Sequence, residues 1–178
     1  RTDRGLDWML ASGAELLPRL TAGQAALLQP ALDEITAHKA QILALPRANL
    51  HADLFRDNVM FEGTHLTGVI DFYNACSGPM LYDIAITVND WCLDEHGAID
   101  VPRAQALLAA YAALRPFTAA EAELWPEMLR VGCVRFWLSR LIAAESFAGM
   151  DVMIHDPSEF EVRLAQRQQV ALHLPFAL

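Results

Sequence analysis

The apolar period of a helix runs through this sequence from Leu6 to Leu45 and again from Met80 onward, and between those limits it stops. From Ala48 the chain reads as short runs rich in Val, Ile, Leu and Phe: NLHAD, NVMFE and LTGVID, with EGTH between the last two. Runs of that length and make-up, split by turn residues, read as strands. A small β-structure inside a helical chain is the fold this interruption predicts. Its hairpin joins NVMFE to LTGVID, and LHADLFRDN is the loop that enters it.

On either side the elements are helical. Leu6, Met9, Leu10, Leu16, Leu17 and Leu20 keep a helical spacing despite Gly13. Thr21 can cap a second helix running to about Leu45, where Pro46 ends it, and Pro30 is expected to kink or break it. Beyond the β segment come MLYDIAITVNDWCLDE and then VPRAQALLAAYAALR behind an Asp100 cap. TAAEAELWPEMLRVGCVRFWLSRLIAAE opens on a capping box, Thr118 with Glu121, and Pro126 is expected to kink or divide it. Asp156, Pro157, Ser158 and Glu159 mark one more helix start. The expected class is mainly α (α+β), a single domain of 178 residues with helices around a small hairpin.

Charge and cysteine usage narrow the function classes. The net charge is −9 and the only lysine is Lys39, so no basic stripe is available to neutralise a phosphate backbone, and nucleic acid is not an expected partner. No run approaches the length of an uncharged membrane span, and the N-terminus is not signal-like. The three cysteines, Cys76, Cys92 and Cys133, are far apart and suggest neither zinc nor a disulfide framework. A reducing cytoplasm fits that usage.

The chemistry-bearing residues sit in the β segment. His51, Asp53 and Asn58 form H-x-D-x-x-x-x-N, and Asp71 opens D-F-Y at the end of an apolar strand. Phosphoryl transfer needs a carboxylate near the attacking hydroxyl and oxygen ligands that hold Mg²⁺ across phosphates. Asp53, Asn58 and Asp71 are the right types, and a returning strand would bring them to a common rim. The same side chains could also serve only as Asx turns and loop hydrogen bonds. His51 is expected to hold the loop rather than to transfer a proton.

VIDFYNACSGPMLYDIAITVNDWC, together with LHADLFRDN and RFWLSRL, resembles the C-terminal lobe of the homoserine kinases. These belong to the aminoglycoside phosphotransferase and choline kinase-like group within the protein-kinase-like fold. The resemblance covers essentially the whole chain and is most specific over residues 50–93 and 135–141. It implies ATP-dependent phosphorylation of the homoserine side-chain hydroxyl, a step of threonine biosynthesis, with ATP and Mg²⁺ as cofactors. By position, Asp53 resembles the catalytic aspartate, Asn58 and Asp71 the metal-holding pair, and Asp83 an acidic brace of the catalytic loop. Asp83 can equally be a helix N-terminal residue satisfied by the dipole. Two positions depart from the protein-kinase pattern. Tyr73 stands where D-F-G has glycine, and Phe55 stands where a lysine is common. Arg56 beside it could reach a transferring phosphate, or lie exposed and paired with Asp57.

Other parts of a kinase are not found. The nine glycines include no G-x-G, and Lys39 lies on a helix upstream of the loop. The expectation is that a nucleotide-binding N-terminal lobe lies outside this chain, which opens RTDRGLDWML like a cut within a longer protein. Alone, the chain is expected to be inactive and to present an apolar surface toward the absent lobe. For the acceptor, Arg140 is the expected carboxylate partner and Asp90 or Asp94 the ammonium partner, with Trp137 on the face of Arg140. The same residues could instead be core aromatics and surface ion pairs. Choline, ethanolamine, an aminoglycoside or a thiosugar are alternative acceptors, and choline would call for an aromatic cage. A non-catalytic kinase-like binding module is the alternative of a different class, although binding alone would not require Asp53, Asn58 and Asp71 together.

Overall fold

Six helices and two small antiparallel ladders make up the chain, in a computed structural model that describes residues 4–151 and 153–175. Helix α1 spans Leu6–Leu16 and passes into a short 3₁₀ turn, Leu17–Arg19. Pro18 lies in that turn, so the apolar pattern that continues to Leu20 is not one helix. Helix α2, Ala22–Ala44, begins on a complete capping box in which Thr21 and Gln24 satisfy each other's backbone donors. Pro30 lies inside it without ending it. Proline removes one intrahelical bond, and burial of Leu28, Ala31, Leu32 and Ile35 against the core outweighs that loss.

The β segment is more connected than its sequence suggests. Strand β2, Val59–Glu62, pairs with β3, His65–Val69, as the expected hairpin, with Gly63 at φ +61 in its turn. A second ladder joins β1, Arg47–Leu50, to β4, Cys76–Pro79. RANL overlaps the start of the expected β segment, whereas CSGP lacks the alternation of a half-buried strand. They pair because α2 and the next helix hold the two ends together, and Met80 N–H donates to Pro46 O at 2.8 Å. Gly78 lets the strands approach closely: a Cβ on it would lie 2.8 Å from Leu50 Cδ1 and displace that side chain.

Helix α3, Met80–Trp91, stops short of the expected Glu95. Asp94 Oδ1 accepts from the His96 and Ala98 N–H groups, and a bridge pairs Leu93 with Ile99. That local turn replaces the last helical turn. Helix α4, Val101–Leu114, starts at the Asp100 cap, and α5, Ala119–Ser146, at the Thr118–Glu121 capping box. Pro126 does not divide α5. Helix α6, Ser158–Gln166, follows the Asp156 side chain, which accepts from Ser158 N–H at 2.9 Å.

Helix α5 is the axis of the core. From Leu124 to Leu138 it is buried at nearly every position, with α3, α2, α1 and α6 around it. A buried polar link fixes three of these elements. Asn89 of α3 donates to Leu129 O at 2.8 Å and accepts from Arg167 Nε at 2.9 Å. The link holds α6 at the side of α3, beside the β segment. No helix of the described residues is long and apolar enough to cross a membrane.

Candidate active site

The β1–β4 ladder acts as a neck from which the whole motif-bearing segment extends. Just past β1, the N–H groups of His51 and Ala52 donate to the two carboxylate oxygens of Asp83, at 2.8 and 2.7 Å. This is where the structure puts Asp83: beneath the loop, gripping its backbone. Ala52 is turned into the left-handed region at φ 61, an unfavourable state for a residue with a Cβ. The turn delivers Asp53. His51 Nε2 lies 2.8 Å from Ile70 O, and its ring packs on Phe72 at 4.6 Å. His51 thus ties the loop to the segment after β3.

Asp53 is 9 % exposed. One carboxylate oxygen accepts from Asn74 Nδ2 at 3.1 Å. Its backbone oxygen accepts from Asn58 Nδ2 at 2.8 Å and from Phe55 N–H at 2.8 Å. Because the Asn58 amide donates inward, its oxygen remains as the acceptor. Asp71 is exposed, also left-handed at φ 67, and its side chain has no hydrogen bond or ion pair among the described residues. Burial holds the Asp53 carboxyl above the ordinary carboxylate range, against the lowering effects of Arg135 and Asn74. Asp71 adds to the rise and His51 opposes it. Burial likewise raises Asp83, against the two backbone N–H groups it accepts.

Asp53, Asn58 and Asp71 line one cleft of about 500 Å³ together with Arg56, Arg135 and Arg163. Sequence-based expectations for the acceptor side fare unevenly there. Arg140 and Asp90 also line the cleft, but both are engaged. Arg140 Nη1 donates to Asp156 O and to Glu159, each at 2.8 Å. Asp90 accepts from Arg56, through the backbone N–H at 2.8 Å and Nε at 3.3 Å. Arg56 therefore pairs with Asp90 rather than with Asp57, because its backbone geometry already delivers it to α3.

Two expected acceptor residues lie elsewhere. Asp94 sits in the turn after α3, its oxygen used by local N–H groups, and does not line the cleft. Trp137 is fully buried in the core. It lies on the inner side of α5, a helix with too little polar surface for spacing alone to tell which face opens on a cleft. Trp91 has a structural place: its Nε1–H donates to Leu54 O at 3.0 Å, and its ring meets Phe61 at 6.2 Å.

Sequence reasoning did not single out Asn74, Arg135, Glu159 or Arg163. Asn74 had a signal, lying three residues past Asp71 in the same motif. Arg135 stands amid an apolar run and reads as a lone charge in a core helix.

The chain as a whole has counterparts among known proteins. The profile of the phosphotransferase enzyme family (APH) matches residues 1–117. The chain belongs to the phosphotransferase enzyme family. Within it, the chain is similar to the homoserine kinase of Pseudomonas aeruginosa, 72% identical over 177 residues. That match covers 99% of this chain and 56% of that protein. It is also similar to the homoserine kinase of Janthinobacterium sp. (strain Marseille), 44% identical, with 94% and 53% covered. The chain thus spans about half the length of the relatives it matches. Among solved structures it resembles a Plasmodium vivax ethanolamine kinase, with a TM-score of 0.57, 14% identity, and 94% of this chain and 50% of that chain covered. At that identity the likeness is one of fold, and it is a kinase's fold that these helices and hairpins share.

Proposed function

We propose that this chain is the acceptor-side part of an ATP-dependent kinase that phosphorylates the side-chain hydroxyl of homoserine. The observation that carries the reading is the convergence of Asp53, Asn58 and Asp71 on one cleft, in a chain 72% identical over nearly its whole length to a homoserine kinase. Asp53 is anchored through Asn74, which leaves its other oxygen to receive or orient the acceptor hydroxyl. Asn58 and Asp71 offer oxygens at the cleft's outer edge. Two such ligands suit Mg²⁺, which takes few protein oxygens and completes its shell with phosphate and water. Bound there, Mg²⁺-ATP would supply the phosphoryl group and neutralise its developing charge.

Beside this edge the hairpin and the turn after it expose Met60, Phe61, Leu66, Ile70 and Phe72, each 47–57 % accessible. Exposed apolar side chains of this kind are suited to contact with a nucleotide ring and with the nucleotide-binding lobe proposed to complete the enzyme. The cleft is lined by four arginines and five carboxylates, a set suited to an acceptor that carries both a negative and a positive group.

The full-length gene product, given homoserine, choline, ethanolamine and an aminoglycoside in separate assays, should release ADP with homoserine. Turnover of choline without turnover of homoserine would sink this reading. The 178-residue chain by itself should release no ADP.

A further inference from the structure

Three guanidinium groups rest on one aromatic shelf at the inner side of the cleft. Phe136 stacks on Phe160 with centroids 5.3 Å apart and meets the edge of Phe55 at 4.6 Å. Arg140 and Arg163 lie over Phe160, at 4.6 and 4.5 Å, and Arg135 lies over Phe136 at 4.0 Å. Two of the three have matched charges. Arg140 holds Glu159, and Arg163 lies 3.8 Å from Glu159 and 4.0 Å from Asp90.

Arg135 differs. It is only 4 % exposed, yet among the described residues its side chain has neither an ion pair nor a hydrogen bond. Its nitrogens are not sealed in protein either: Arg163 Nη1 is a buried atom without a hydrogen-bond partner, and no atom of Arg135 is. Arg135 is close enough to Asp53 to lower its carboxyl, yet the two form no ion pair, and a buried guanidinium whose donors are unmatched is destabilising. It is sustained where a ligand supplies the anion. The guanidinium lies 4.0 Å from the Phe136 ring, and a planar fork of this kind is suited to bidentate contact with a carboxylate.

Depth decides which anion. Asp71, proposed as a metal ligand, is exposed, and Arg56 is the solvent-facing arginine of the same cleft, so phosphate chemistry belongs at the mouth. Asp53 and Arg135 share the buried end, where the acceptor must sit for its hydroxyl to meet Asp53. Homoserine carries its carboxylate one short carbon stem from that hydroxyl.

We propose that Arg135, not Arg140, receives the acceptor's carboxylate and so restricts the site to hydroxy-amino acids. This rests on the homoserine kinase reading of the cleft.

The test compares homoserine with 3-aminopropan-1-ol, which keeps the hydroxyl and ammonium and lacks the carboxylate. In the full-length enzyme the ratio of kcat/KM for homoserine over the amino alcohol should fall about 100-fold or more in Arg135→Gln. The loss should appear in the KM for homoserine, with the KM for ATP unmoved. Arg135→Lys keeps the charge and the buried stem but not the fork. Its ratio should fall about tenfold, and it carries the test if the Gln variant does not fold. An unchanged ratio in either folded variant overturns the proposal. So does an equal loss for both alcohols, which would put Arg135 on the phosphoryl group or in the fold. Failure of the parent reading is distinguishable, because the unmodified enzyme would then not phosphorylate homoserine at all.

Discussion

Asp53 is held in the fold at a cost, and that cost has a measurable sign. Its burial raises its carboxyl above the free value of 3.8, so the folded protein favours the protonated form. The stability contribution of this group is therefore fully present below 3.8 and is lost as pH rises through the higher folded value. Asp53→Asn removes the buried charge, so the variant should melt at a higher temperature than the parent at pH 7, with the difference vanishing in acid. The same substitution should lower phosphotransfer in the full-length enzyme by about 100-fold or more, since the acceptor hydroxyl loses its base or anchor. A melting temperature that falls at pH 7 would contradict the first expectation. Asp83 is raised by burial in the same sense, but its carboxylate also accepts two backbone hydrogen bonds. Asp83→Ala strands the N–H groups of His51 and Ala52 and should destabilise the protein by about 2–3 kcal/mol, read as a lower urea midpoint. Only two described residues other than glycine have positive φ, Ala52 and Asp71, and both belong to the motif. Ala52→Val adds a branched Cβ at φ 61 and should lower the melting temperature by several degrees.

At the scale of elements, local chemistry was legible and long-range pairing was not. The starts at Thr21, Asp100 and Thr118 could be read because a cap is a contact between residues three apart. The Thr118 cap is reinforced beyond its own motif: Glu121, fully buried, also accepts from Arg115 Nη1 at 2.7 and 2.9 Å. Glu121→Ala should consequently cost about 3 kcal/mol, more than an ordinary cap, as measured by chemical denaturation. Neither Pro30 nor Pro126 breaks its helix, because a single lost hydrogen bond is small beside the apolar surface their helices bury. The β1–β4 ladder was hidden for a different reason. Cys76-Ser77-Gly78-Pro79 has no strand pattern of its own, and its partner lies beyond the whole hairpin. The candidate site divides along the same line. Asp53, Asn58 and Asp71 occupy one short stretch and could be recognised together, whereas Arg135 comes from a distant helix whose periodicity marks it only as core.

For the whole molecule, the exposed face of the hairpin is the feature with consequences in solution. Met60, Phe61, Leu66, Ile70, Phe72 and the 74 % accessible Tyr73 cluster along β2, β3 and the turn that follows. The 178-residue chain should self-associate at high micromolar concentration in sedimentation velocity runs and bind a hydrophobic dye. The double substitution Met60→Thr, Leu66→Thr keeps strand propensity and should return it toward monomer. A monodisperse, dye-silent parent chain would show that the face is not adhesive. The neck formed by β1 and β4 has a further consequence, one of timing. The residues that hold phosphotransfer chemistry leave the ribosome before the groups that set their geometry: Asp83 grips the loop from α3, and Arg135 faces Asp53 from α5. Loop closure across the neck must wait for those partners. A chain ending before α5 would carry Asp53, Asn58 and Asp71 and still lack Arg135 at the cleft.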